Sequence, residues 1–297
     1  MDALEQREKS MELKQSRERE QESEVGSARL EQAGSKMGIV CFDMDGTLLD
    51  NSIDVIPESA QLAVDRLRKR HYIVISTGRD MDAHYSMKYR DIIRPDAVIH
   101  LNGTKITAGG KTILEHYMDE AFLKRLFRYA EAHDYCFGTT IGTEDYYTAP
   151  HKKVEADRVY NRFIKRNFRP VSELLESGKR VRALSYAGEL AREKEALGKA
   201  FPELKLIGFA SGYGADVVEQ GFSKAEGLKR LCSYYGIARE HTAAFGDSLN
   251  DMEIVQYAGI GIAMGNAVDE LKAVADYVTD DVKHDGILHA CEKLGLF

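Results

Sequence analysis

The apolar run Gly38-Ile39-Val40-Cys41-Phe42 stops abruptly at Asp43-Met44-Asp45-Gly46-Thr47, and this junction leaves few ways for the segment to end. In a strand, residues i and i+2 point the same way, so Asp43 and Asp45 would project together if the strand ran on. Gly46 argues that it does not: a turn through positive φ would leave both carboxylates at the carboxyl end of a strand. Carboxylates this close repel one another unless a cation lies between them or one holds a proton. The stretch therefore asks for a metal, a shared proton, or both. A polar turn with Asp45 or Thr47 capping the next element is the competing reading.

Beyond Met37, strands and helices alternate. Ile39–Phe42 reads as a strand, residues 57–70 as a helix with Pro57 in its first turn and Leu62 and Leu67 among its apolar positions, and Tyr72–Ile75 as a second apolar strand. Continuous apolar strands alternating with helices predict an α/β fold around a doubly wound parallel sheet covered on both faces. Ligands of such sheets gather at the carboxyl ends of the strands.

Polar groups fall at those ends. The second strand runs into Ser76-Thr77-Gly78-Arg79, able to offer hydroxyl and backbone donors to a phosphate, although an ST-turn is the plainer reading. Thr242–Phe245 is another apolar strand and runs into Gly246-Asp247-Ser248-Leu249-Asn250-Asp251. Paired acids at two strand ends and hydroxyls at a third suit a hard cation and a phosphate. Lys224, in Gly221-Phe222-Ser223-Lys224 ahead of a helical pattern at Leu228 and Leu231, reads on its own as a solvated surface residue.

Composition removes several classes. The chain has 297 residues, 43% of them apolar, and a formal net charge of −7, which suits a globular protein of about two domains without an overall basic excess for nucleic acid. No apolar run approaches the ~20 residues of a membrane span, and no signal peptide is expected. Cys41, Cys136, Cys232 and Cys291 are scattered without metal-type spacing, which favours a reducing, cytoplasmic setting. Residues 1–36 lack aromatics and proline and are dense in charge, so they are expected to be a disordered or solvated helical extension.

DMDGT, STGR, the lysine of GFSKAEGLKRL and GDSLND, in that order, resemble the four motifs of the haloacid dehalogenase superfamily. Asn102-Gly103, Met264-Gly265-Asn266-Ala267 and Asp285-Gly286-Ile287 resemble its Cof-type branch, whose members carry an inserted α/β (type IIB) cap. The resemblance implies a core of residues 37–112 and 220–297 and a cap at 113–219, with Ala108-Gly109-Gly110 as a turn before the cap and a strand at Asp216–Glu219 leading back. It implies a phosphomonoester hydrolase using Mg²⁺. Asp43 would be the nucleophile forming an aspartyl phosphate, and Asp45 the general acid and base. Ser76, Thr77, Lys224 and Asn250 would hold the phosphoryl group. The metal would be bound by Asp43, Asp45 through its carbonyl, Asp247 and Asp251. Arg79 and Asn102 are further candidates on the substrate side, while Thr47 is expected to order its loop.

Substrate choice is expected to lie in the cap. There, residues 151–169 hold seven Lys or Arg against two acids, an excess of +5. Lys152, Lys153 and Arg158 could attract an anionic substrate if they face the cleft, or form an ordinary solvated surface. Tyr146 and Tyr147 fit a small core or a stacking site. The expected partner is a small phosphorylated metabolite, sugar phosphates first, with nucleotide or cofactor phosphates as further candidates. No nucleic acid or membrane is expected, and a monomer or a dimer is compatible with the reading. A phosphomutase of the same capped fold and a non-catalytic phosphate or phosphoprotein sensor are the alternatives.

Overall fold

A computed structural model describes residues 36–148 and 168–297. The expected extension before Lys36 and most of the basic segment, including Lys152, Lys153 and Arg158, lie outside the described residues.

Fourteen strands form two sheets among the described residues. The first contains β1 (Gly38–Phe42), β2 (His71–Ser76), β3 (Ala97–His100), β4 (Lys105–Ala108), β5 (Lys111–Glu115), β12 (Thr242–Gly246), β13 (Ile260–Ala263) and β14 (Tyr277–Val278), in the order β14-β13-β12-β1-β2-β3-β4-β5. Pairing is parallel from β14 to β3 and antiparallel at β4 and β5. The chain moves outward from β1 through β2 and β3 on one side, and through β12, β13 and β14 on the other. The order therefore reverses at β1 and β12, where a crevice opens at their carboxyl ends.

Strand β1 shows why its sequence has no polar residue. Val40 and Phe42 pack into one layer with Ala60, Ala63, Val64 and Leu67 of helix α1 (Glu58–Leu67) and with Ile287 and Ala290. Ile39 and Cys41 face the opposite layer, against Leu228, Leu231 and Ile254. Phe42 also stacks on Phe245 of β12, 4.9 Å between ring centroids. Burying side chains of this size is worth about 1.5–3 kcal/mol each, which fixes the depth and register of the strand. Leu62, expected among the apolar positions of α1, is instead 53% exposed. The buried stripe is made of Ala60, Ala63, Val64 and Leu67, one face of a 3.6-residue period that Leu62 does not share.

The second sheet contains β6 (Cys136–Ile141), β7 (Glu144–Tyr147), β8 (Phe168–Pro170), β9 (Leu184–Glu189), β10 (Leu204–Gly208) and β11 (Tyr213–Glu219), ordered β10-β11-β9-β6-β7-β8. Its apolar face, with Phe137, Tyr186, Ala215 and Val217, packs on Leu123, Leu126 and Phe127 of helix α2 (Glu120–Ala132). Tyr146 and Tyr147 are both buried and fill small cores. Ala108-Gly109-Gly110 does turn the chain, with Gly109 and Gly110 both at positive φ, but the turn joins β4 to β5 as a hairpin of the first sheet. The first sheet therefore continues to Glu115. The two crossings between sheets meet at His116 and Glu219, whose side chains share a hydrogen bond, and Phe222 stacks on the His116 ring.

Candidate active site

Three strand ends and one helix start converge at the crevice. Asp43 follows β1 directly, and its amide donates to the Phe245 carbonyl at 3.0 Å, so the side chain emerges between β1 and β12. The chain then turns: Gly46 has φ +77°, and its amide donates to the Leu49 carbonyl at 2.9 Å. A side chain on Gly46 would bring its Cβ to 2.3 Å from Asp247 Oδ2, so glycine is required by both conformation and space. Asn266, of the Met264–Ala267 segment, donates from Nδ2 to the Gly46 carbonyl at 2.8 Å and clamps the turn from the far side.

The turn gives the two aspartates unlike surroundings. Asp43 is buried and accepts from Lys224 Nζ at 2.7 Å. Asp45, immediately before the glycine, is partly open and accepts Arg79 Nε at 2.6 Å and Nη2 at 2.5 Å in a two-point grip.

Lys224 opens helix α3 (Lys224–Tyr235), whose N-cap Ser223 accepts from the Glu226 amide. Read alone it looked like a surface lysine, yet it is 0% exposed and sits between two carboxylates, with Nζ 2.7 Å from both Asp43 Oδ1 and Asp251 Oδ1. Burial pulls its pKa down, but the two anions outweigh that and hold the ammonium charged.

The loop after β12 brings the remaining acids. Asp251 Oδ2 accepts the amides of Asp247 and Ser248 at 3.0 and 3.1 Å, so this side chain ties the loop together as well as holding Lys224. Thr47 donates to Asp247 Oδ1 at 3.2 Å. Carboxylate oxygens of Asp43, Asp247 and Asp251 all lie within 4.8 Å of one another. Burial and this mutual repulsion push Asp43 up to about 7 and Asp247 up to about 9. Two buried acids and one half-buried acid crowd against a single lysine, and an oxygen donor set of this kind fits a hard divalent cation.

The phosphate candidates divide. Ser76 is buried, and among the described residues neither its Oγ nor Asn250 Oδ1 has a hydrogen-bond partner. Thr77 Oγ1 instead accepts the Arg79 amide at 3.1 Å and serves the turn. Asn250 Nδ2 donates to Asn102 Oδ1 at 3.2 Å, and Asn102 Nδ2 donates to Asp216 Oδ2 at 2.8 Å. Asn102 adopts φ +51°, which asparagine tolerates better than most residues.

Asp216 was not singled out as a site residue. Its neighbours Ala215 and Val217 are buried in the second sheet's core, so strand alternation turns Asp216 to the opposite face, toward Gly78 and Asn102. That alternation of an acid between two apolar residues was the available signal. Burial raises Asp216 to about 6.

Residues 40–291 match the sequence profile of the haloacid dehalogenase-like hydrolase family. The Bacillus subtilis (strain 168) protein YkrA is 32% identical over 263 residues, covering 87% of this chain and 98% of its own. The Bacteroides thetaiotaomicron phosphatase BT1666 superposes with a TM-score of 0.80 at 25% identity, over 90% of this chain and 98% of that one. The subclass IIB sugar phosphatase BT4131 gives 0.77 at 26%, over 88% and 100%.

Proposed function

The chain belongs to the haloacid dehalogenase-like hydrolases and is a phosphatase, and on that premise we propose that it hydrolyses small phosphorylated metabolites, sugar phosphates first, through an aspartyl phosphate on Asp43. The carrying observation is the unlike setting of the two aspartates: Asp43 buried and fixed against Lys224, Asp45 partly open and gripped by Arg79. Neighbouring carboxylates held in different environments can take different tasks.

In this reading Asp43 attacks phosphorus while the ester P–O bond breaks, and Asp45 gives its proton to the departing oxygen. Asp45 then takes a proton from water as that water attacks the aspartyl phosphate, releasing phosphate and restoring Asp43. Lys224 orients Asp43 and offsets charge beside it, Ser76 can donate its unpartnered hydroxyl to a phosphoryl oxygen, and Asn250 would donate through Nδ2, which carries a second N–H besides the one given to Asn102. Asp43, the Asp45 carbonyl and Asp247 would hold Mg²⁺, with Asp251 joining them or bracing the loop behind. The bound ion would neutralise the crowded acids and the phosphoryl charge. Residues of the second sheet, up to 219, are read as the lid over the leaving group.

No helix among the described residues is long and apolar enough to cross a membrane. The four cysteines are buried and free, in keeping with the proposed reducing, cytoplasmic setting. The test is phosphate release from a panel of phosphorylated metabolites with Mg²⁺. Turnover of several sugar phosphates is expected. Isomerisation of hexose phosphates without net release would favour a mutase, and no turnover at all would favour a sensor.

A further inference from the structure

The leaving-group side of the crevice contains a cation that the chemistry above does not use. A cavity of about 110 Å³ lies between the sheets, with Gly78 and Asn102 on one side and Arg180, Arg182 and Asp216 on the other. Arg182 is already answered. Its Nε is 2.8 Å from Glu115 Oε1, one Nη donates to the Tyr117 hydroxyl at 3.1 Å, and the other lies 3.6 Å from Asp80. Arg180 differs: its guanidinium sits on the Tyr117 ring, 3.6 Å from the centroid, and it has no carboxylate partner among the described residues. Stacking fixes the plane of a guanidinium while leaving its N–H edge free for a planar or tetrahedral anion. Asp80 and Asp216 line the same cavity, so an anion is repelled there except beside Arg180.

The geometry points to Arg180 as the residue that recognises a second anionic group, a carboxylate or a phosphate, on the alcohol part of the phosphomonoester. This rests on the phosphatase reading and narrows its substrate class to doubly anionic compounds. Val181 between the two arginines is buried, and both guanidinium groups lie over the Tyr117 ring, 3.6 and 4.9 Å from its centroid, so Tyr117 serves as their common platform.

The test compares substrates matched except for the second anion: 6-phosphogluconate against glucitol 6-phosphate for a carboxylate, and fructose 1,6-bisphosphate against fructose 6-phosphate for a phosphate. The wild-type kcat/KM should favour the doubly anionic member of at least one pair, and the pair that discriminates identifies the anion. Arg180→Gln should lower that preference about 10- to 100-fold, mainly through KM, as expected for a lost charge-assisted hydrogen bond. Arg180→Lys should retain part of it, and Tyr117→Leu should lower it by removing the platform. Preferences unchanged by Arg180→Gln in both pairs, or absent from the wild type, would overturn the assignment. Wild-type turnover of p-nitrophenyl phosphate separates the two levels: if it proceeds while the preferences fail, only Arg180 has been misassigned, and if it fails, the phosphatase reading falls with it.

Discussion

Arg79 grips Asp45 through two nitrogens, 2.6 and 2.5 Å from the two carboxylate oxygens. Such a fork fixes both the position and the rotation of the carboxylate. Arg79 is thus a positioning residue for the proposed acid, and Arg79→Gln should resemble a mild loss of that acid. With alkyl phosphates kcat should fall about 10- to 100-fold, and with p-nitrophenyl phosphate, whose leaving group needs little protonation, distinctly less. Steady-state rates on the two substrate types check this, and equal losses on both would remove Arg79 from the positioning of Asp45.

The aspartates themselves should fail in different ways. Asp43→Asn should abolish turnover for every substrate, since an amide does not form the acyl phosphate. Asp45→Asn should lose about 10²–10⁴-fold and, with p-nitrophenyl phosphate, accumulate phosphoenzyme because the water-attack step loses its base. Rapid quench and mass spectrometry should find the phosphoryl group on Asp43; finding it elsewhere reverses the assignment.

Metal removal should act on stability as well as rate. EDTA should abolish activity and Mg²⁺ restore it. Burial and neighbouring carboxylates raise Asp43 to about 7 and Asp247 to about 9, so the cation-free fold binds these protons more tightly than the unfolded chain does. Their contribution is therefore present at low pH and is lost as pH rises from the ordinary carboxylate range, about 4, through these values. The gain in Tm on adding Mg²⁺ should accordingly be small near about pH 5 and larger near about pH 8. Thermal melts at both pH values measure it, and equal gains would point to an ion bound elsewhere.

Lys224→Ala should destabilise the metal-free protein by about 3–5 kcal/mol, because two buried carboxylates lose their shared cation. Urea unfolding in EDTA reads this directly. A loss below about 1 kcal/mol would mean that the acids reprotonate or rehydrate without cost.

Leu62 and Leu67 mark where sequence reading succeeds and stops. Strands β1, β2 and β12 were legible because continuous apolar runs between helices have one common explanation, a sheet covered on both sides. Leu62 misled because residue type was counted without its angular position on the helix. Lys224 misled for another reason: its burial is made by β1 and β12, which are remote in sequence, and nothing in its own neighbours announces them. The second sheet was least legible, since strands such as Glu144-Asp145-Tyr146-Tyr147 are short and mixed in polarity, without the clean alternation or continuous apolar run that marks a strand. Leu62→Gln should change stability by no more than about 0.5 kcal/mol, and Leu67→Ala should cost about 2–5 kcal/mol. Denaturant melts of both variants test the assignment of the buried stripe.

The hydrogen bond between His116 and Glu219 joins the two crossings at one place. Everything between those residues leaves the first sheet and returns to it through the same doorway. A different block of chain could be spliced in there without rethreading a single strand of the first sheet, whose pairings all lie outside it. On the proposed division of roles, the reaction centre and the selectivity would then be separable units of inheritance: exchanging one contiguous piece of gene would change what is hydrolysed while leaving the means of hydrolysis in place.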